Sequence, residues 1–421
     1  MASAGGVLVR FAPMIYGPTV LFAVGEGAVV PLIPVIAGRL GADLALSGLV
    51  ASGLVIGGLC GNLPAGWLVA RLGERRTMLM SAGVALLGVA GIALATSLWL
   101  LAASVFVVGL CAAAFGLARH AFMTVRVPFG FRARALALLG GTFRFGMFAG
   151  PFVAALLLSV TGSETSAAWC FAVCLVACLL LVGFGRDPEE AVSAELGVDS
   201  VSGSTLAKAR PDGVLRTMAT HRKVLSRLGL AAASLGAVRT AKQVGLPLWG
   251  VSLELDAHTI ALVVGIAGAL DFALFYASGQ VMDRFGRLWA TLPAMTLMGV
   301  GFGVLAFSHE WAGAPVWFVV LAGVIGVGNG LSSGILMTLG ADLAPQGDPA
   351  PFLGSWRLLC DGGGVLGPVV FSVLSGVATI GLAAGAIGVI AVAGAVGFWR
   401  WVPRFVPAVA VVGRRGARER S

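Results

Sequence analysis

The sequence predicts an all-α membrane protein built as two pseudo-symmetric bundles of six transmembrane helices. Three observations predict it. Hydrophobic residues make up 58% of the 421-residue chain and charged residues 11%, too few charges to cover a soluble globule of this length. Apolar runs of the ~20 residues that cross a bilayer recur twelve times. The chain also repeats itself. Gly66–Arg76 (G-W-L-V-A-R-L-G-E-R-R) and Gly279–Leu288 (G-Q-V-M-D-R-F-G-R-L) each follow a long apolar run, at an offset of 279 − 66 = 213 residues, and Pro34 and Pro247 stand at the same offset. Two homologous bundles of this kind form a transport path at their seam.

The apolar runs lie near residues 13–37, 45–69, 77–97, 99–118, 135–158 and 167–185, then 226–251, 258–281, 289–307, 313–338, 353–375 and 380–401. They divide the chain into a first bundle (1–185), a polar cytoplasmic linker (186–225), a second bundle (226–402) and a cytoplasmic tail (403–421). The linker mixes charges with Ser, Gly and Pro, as flexible connections do, and a short amphipathic helix is expected near Leu215–Val224. The 62 glycines suit close helix packing in lipid. The first apolar run is too long for a cleaved signal peptide and reads as a retained span.

Charge placement sets the expected orientation. With the N-terminus in the cytoplasm, the external loops hold one basic residue, Arg39, beside Asp43, Glu164, Glu254, Asp256 and Glu310. The cytoplasmic loops then hold Arg71, Arg75, Arg76, Arg119, Arg126, Arg132, Arg134, Arg284 and Arg287, and the tail adds five more arginines. This positive-inside bias accounts for the net charge of +9 and argues against a nucleic-acid partner. The six cysteines all lie in apolar runs without zinc spacing, so they read as packing residues. The four histidines sit in loops or at span ends. No triad, metal site or phosphate-binding loop is present, and neither an enzyme nor a cofactor is expected.

The repeated loop resembles the G-x-x-x-D-R-x-G-R-R motif of the major facilitator superfamily, and the resemblance covers essentially the whole chain. Gly279, Asp283, Arg284, Gly286 and Arg287 match it in the second copy; Gly66, Arg71, Gly73 and Arg75 match in the first, where Ala70 replaces the Asp. The resemblance implies that Asp283 faces a helix start in the opposite bundle and latches the inner gate, as a carboxylate at a helix N-terminus would. Gly146, Gly150 and Pro151 (G-M-F-A-G-P-F-V-A-A, 146–155) resemble a pattern of drug:proton antiporters within the superfamily. These small residues let another helix approach closely, and the proline bends the span. The implied function is a proton-coupled exporter of small amphipathic molecules, of the multidrug-efflux type, working by alternating access. The alternatives are a dedicated exporter of a metabolite, sugar or lipid-like compound, and a membrane sensor or scaffold that transports nothing. The expected setting is the plasma membrane, with both termini cytoplasmic, the chain monomeric, and a small molecule and protons as its partners.

Ionisable residues within the spans are costly and mark pathways or structural pairs. They are Glu26, Arg144, Arg239, Lys242, Asp271, Arg357 and Asp361. The 213-residue offset relates Glu26 to Arg239; the matching Gly-Pro steps at Gly150 and Gly367, 217 apart, relate Arg144 to Asp361. Opposite charges thus occupy corresponding positions in the two halves. With the spans arranged as in the family, Glu26–Arg144 and Arg239–Asp361 pairs are expected, while Arg357 with Asp361, four residues apart, and Asp271 with Arg144 across the seam are the competing assignments. Gln243, Trp249, Asn329, Ser333 and Trp356 are further candidates for the cavity wall.

Overall fold

The computed structural model describes residues 4–126, 129–184, 211–345 and 350–406. Span 1 runs Ala4–Val29 and continues through a 3-10 turn into Ile33–Arg39. Spans 2 to 6 are Leu44–Leu72, Glu74–Ala93, Leu98–Arg126, Phe129–Thr161 and Thr165–Phe184. A short helix, Pro211–Thr220, precedes spans 7 to 9 at Leu230–Ser252, Ala257–Phe285 and Arg287–Ser308. Span 10 is Ala314–Leu331 continuing as Ile335–Leu343, and spans 11 and 12 are Ala350–Val377 and Ile380–Phe405.

Among the described residues, eleven helices are long and apolar enough to cross a membrane. The exception among the twelve expected is span 7. Its 23 residues suffice in length, but Arg239, Lys242 and Gln243 sit at its middle and dilute its apolarity. A helix surrounded by lipid could not tolerate them; one that faces a polar cavity can.

The internal repeat reappears as local geometry. Asp43 caps span 2 by accepting from the Leu46 amide at 2.8 Å, and Asp256, 213 residues on, caps span 8 by accepting from the Thr259 amide at 3.0 Å. Spans 2 and 8 both end on a glycine at positive φ, Gly73 at +78° and Gly286 at +97°, a conformation that side chains with a Cβ resist. Span 5 packs on span 1 through its glycines: a Cβ at Gly150 would meet Val24 O and Ala28 N at 2.5 Å. Span 11 packs on span 7 in the same way, with Gly367 against the Ala237 carbonyl. Val24 and Ala237 are 213 apart, so one contact is built twice.

Each half has its own apolar centre. In the first, Phe22 stacks on Phe115 at 4.7 Å and meets Phe171 edge-on at 5.5 Å. In the second, Phe302, Phe318, Phe371 and Phe398 are fully buried. The halves meet where span 2 lies along span 11 and span 5 along span 8.

Three expectations of chain course are corrected. Arg119 is not a loop residue; span 4 runs on to Arg126, and Arg119 is 3% exposed within it. It donates to Thr19 Oγ1 at 3.1 Å and reaches Met78 Sδ. Span 10 is not continuous: it breaks at Ser332–Gly334, where Gly334 has φ +76°. Ser278 on span 8 donates to the freed carbonyls of Leu331 and Ser333 at 2.6 and 3.0 Å, which satisfies backbone that lipid could not. The helix expected at Leu215–Val224 begins earlier, at Pro211, ends at Thr220, and is followed by a turn at Arg222–Val224 and a π-turn at Leu225–Gly229. Linker residues 185–210 and tail residues 407–421 lie outside the described residues.

Candidate translocation cavity

A cavity of about 620 Å³ lies at the seam, walled by spans 1, 2, 4 and 5 of the first bundle and 7, 8, 10 and 11 of the second. Glu26, Arg144, Arg239, Lys242, Gln243, Asp271, Asn329 and Asp361 all reach its wall. Thus the polar residues of span 7 that spoil its apolarity are the ones the cavity receives.

Asp271 is the hub. Arg144 crosses from span 5 and donates to Asp271 Oδ1 at 2.9 Å; Lys242 on span 7 approaches Oδ2 at 3.4 Å, and Asn329 Nδ2 donates to the same oxygen. Three side chains from three further spans therefore converge on one carboxylate, and one of them belongs to the other bundle. The side chains of Arg144 and Asp271 are 20% and 16% exposed, so the pair is largely shielded and poorly screened. The Arg144 guanidinium also lies 4.9 Å over the Phe275 ring. Beside it, Phe148 stacks on Phe272 at 5.0 Å, and Phe145 meets Phe272 at 5.9 Å. Of this aromatic seam between spans 5 and 8, Phe145 stands out in the sequence as an aromatic wall candidate beside Phe143, whereas Phe148 and Phe272 carry no signal beyond isolated phenylalanines in apolar runs.

The two within-bundle pairs expected from the repeat do not form. Arg144 takes Asp271 rather than Glu26. Asp361 takes Arg357 of its own helix at 3.4 Å and Asn62 of span 2 at 3.5 Å rather than Arg239. Sequence offsets relate positions but cannot choose among carboxylates within reach of one guanidinium. The outcome leaves two charges open. Glu26 is 9% exposed, and its Oε2 has no hydrogen-bond partner among the described residues. Arg239 makes no ion pair among the described residues. Both line the cavity, one from each bundle, at positions the repeat relates.

Trp249, Trp356 and Ser333 are corrected as cavity candidates. Trp249 is fully buried in the second bundle, 5.5 Å from the His309 ring. Trp356 is 3% exposed and donates its indole N–H to the Leu336 carbonyl at 2.8 Å. Ser333 is buried at the break in span 10. Large aromatics near span ends are drawn into helix packing as readily as to a polar wall. Arg357, expected within the membrane interior, has a side chain 62% exposed.

The seam is tight on the side that carries Arg39 and Glu164, which pair at 2.5 Å. The Ile33–Arg39 segment packs on span 7. Gly48 lies against Ser372 and Leu248, Gly376 against Ala45, and Ser52 Oγ is 3.4 Å from Ser372 Oγ. On the opposite side the two motif loops are exposed. Asp283 does not reach the first bundle: its side chain is 84% exposed and meets Arg287, the first residue of span 9, at 3.7 Å. The other motif residues brace their own bundles. Arg75 donates to the Val182 and Gly183 carbonyls at 3.0 and 2.9 Å, and Arg287 pairs with Asp342 of span 10 at 2.8 Å. Arg71 and Arg284 lie over the neighbouring rings of Trp67 and Phe285. No Cβ contact would be met at Gly66 or Gly279. Gly146, by contrast, presses on Ala23 and Val24, and Pro151 lines the cavity next to Gly150.

Comparisons with known proteins agree with this architecture. The chain is 26% identical over 134 residues to the bacillibactin exporter of Bacillus subtilis, covering 31% of this chain and 33% of that protein. It is 26% identical over 382 residues to a transporter of Mycobacterium tuberculosis, covering 78% of this chain and 54% of that protein. The chain thus spans between a third and about half the length of these two relatives. It is also 26% identical over 332 residues to the class C tetracycline resistance protein of Escherichia coli, covering 75% and 78%. Among solved structures, a POT family transporter in complex with a thioalcohol-conjugated peptide superposes with a TM-score of 0.75 at 11% identity, covering 94% of this chain and 97% of that one. The all-α fold is shared with that structure over nearly its whole length. With the model of the Major Facilitator Superfamily matching residues 19–368, the chain belongs to that superfamily.

Proposed function

We propose that the protein is a secondary active transporter that exports small amphipathic molecules in exchange for protons. The observation that carries the reading is the cavity between the bundles, packed shut along the seam on the Arg39 side and bridged at mid-span by Arg144 and Asp271. The motif loops, with their arginines, would face the cytoplasm, as the positive-inside bias requires, and both termini would lie there too. The structure then corresponds to an inward-facing state, and Asp283 would engage the first bundle in the alternate one. Glu26, in no ion pair among the described residues, is the candidate proton carrier, because a carboxyl whose surroundings alternate between dry and wet changes its proton affinity. Arg239, whose guanidinium makes no direct ion pair among the described residues, is the candidate contact for an acidic group on the substrate, with Phe143, Phe148 and Phe272 receiving its apolar part. Resemblance to a tetracycline resistance protein and a bacillibactin exporter supports export.

The test is transport in proteoliposomes with an imposed proton gradient, using a panel of cationic and anionic amphipathic dyes. Wild-type protein is expected to concentrate an anionic member. Glu26→Gln should abolish gradient-driven uptake while keeping downhill exchange. If no dye moves protons and none is exchanged, the reading as a transporter is overturned. Full gradient-driven transport by Glu26→Gln would place the proton elsewhere.

A further inference from the structure

At the motif-side end of spans 7 and 12, three guanidiniums converge on one indole. Arg227 lies 4.4 Å, Arg400 5.0 Å and Arg404 5.2 Å from the Trp401 ring centroid. Arg227 is delivered by the π-turn Leu225–Gly229, which packs on span 12. The two spans touch just below, where a Cβ at Gly397 would meet Ala231 Cβ at 3.0 Å. Among the described residues none of the three arginines forms an ion pair, and all three are exposed. Arg222 and Lys223, exposed one turn earlier, add two more charges. One ring's quadrupole attracts a cation by about 0.5–1 kcal/mol at an exposed site and does not offset repulsion among three lying within roughly a Debye length of one another. Among the described residues, the cluster therefore lacks an anion.

The surface beyond the cluster says which anion. Val396, one turn before Arg400, is 55% exposed; Trp399 is 64% exposed; Leu230, one turn after Arg227, is 59% exposed. Val396 and Leu230 continue the faces of Arg400 and Arg227 towards the membrane interior. A free phosphate would use the arginines and leave that face to bulk lipid. A phospholipid uses both, its phosphate among the guanidiniums and its acyl chains along Leu230 and Val396. Guanidinium forks match phosphate geometry, and an indole at the interface suits the headgroup depth. We propose that the Arg227–Arg400–Arg404 cluster around Trp401 binds the phosphate headgroup of an anionic phospholipid at the motif-side interface of spans 7 and 12.

The test is native mass spectrometry of the full chain in detergent, titrated with phosphatidylglycerol or phosphatidylcholine, each with and without excess inorganic phosphate. Wild-type protein is expected to retain phosphatidylglycerol in preference to phosphatidylcholine. Replacing all three arginines by alanine should weaken the anionic lipid on the order of a hundredfold, at about fivefold per basic group near the surface. The triple lysine variant should keep most of the preference, which separates lost charge from lost packing around Trp401. Alanine at Arg216 and Arg222, basic but outside the cluster, should leave the preference for phosphatidylglycerol unchanged to within about fivefold per charge. Equal retention of the two lipids by wild type, or a preference that survives the triple alanine change, overturns the proposal. Displacement of the lipid by inorganic phosphate at matched concentration would also overturn it, since the site would then read phosphate alone.

Discussion

Replacing Asp271 with asparagine should open the seam on the Arg39 side. The substitution keeps the size of the side chain and one acceptor but removes the charge that holds Arg144 and Lys242. Breaking a buried pair by neutralising one partner costs about 3–5 kcal/mol. With side chains 12–20% exposed on a cavity wall, water offsets part of that, leaving about 1–3 kcal/mol. Arg144 and Asp271 belong to different bundles and meet at mid-span, below the packed seam, so the loss falls on the state in which they meet. Each 1.4 kcal/mol is about tenfold in an equilibrium. The ratio of closed to open on that side should therefore fall roughly 5- to 150-fold. Spin labels at Gly38 and Ala378, exposed in outer turns of opposite bundles, would report the change as a longer component in double electron–electron resonance in proteoliposomes. Arg144→Gln should do the same, and the double variant should add little, because the two act through one bond. An unchanged distance distribution in folded, monodisperse Asp271→Asn would refute the reasoning.

Four further outcomes are expected. Gly150→Leu should lower the folded, monodisperse fraction in detergent, since its Cβ would meet span 1 backbone that cannot yield; overpacking costs about 1–3 kcal/mol. Gly83→Ala, in open space on span 3, should be neutral. Hydrogen bonds from Thr259 to the Asp256 cap hold that carboxyl below the usual carboxylate range. The depressed folded value means that the cap's contribution, about 1 kcal/mol, is present above pH ~4 and is lost as pH falls through the folded value. Melting of wild type against Asp256→Ala should thus differ at pH 7 and converge in acid. Asp283→Asn should shift labels at Arg76 and Trp289 towards separated motif loops by about 1 kcal/mol; if their distances do not move, the proposed latch is wrong.

Much of the fold was legible because its determinants are periodic and local. Apolar runs mark the spans whatever their neighbours do. The 213-residue offset carried through to the Asp43 and Asp256 caps, the Gly73 and Gly286 turns, and the paired glycine contacts on spans 1 and 7. The charged residues at the cavity were legible too, because an ionisable group in an apolar run stands out by its cost. What the sequence could not decide was who pairs with whom. Arg144 had Glu26 and Asp271 as rivals, and the choice turned on how spans 5 and 8 meet across the seam. Trp249 and Trp356 looked like wall residues, yet helix packing buried both. Arg119 looked like a loop residue until span 4 proved about two turns longer than its apolar run. The break in span 10 depends on Ser278, more than fifty residues away, to satisfy its carbonyls. By itself the sequence determined the spans, their repeat and the charged residues within them, because each follows from the cost of placing a residue in lipid. Only the tertiary structure decided the ion pairs, the closed side and the unmatched Glu26 and Arg239, because these depend on distances between helices far apart in the chain.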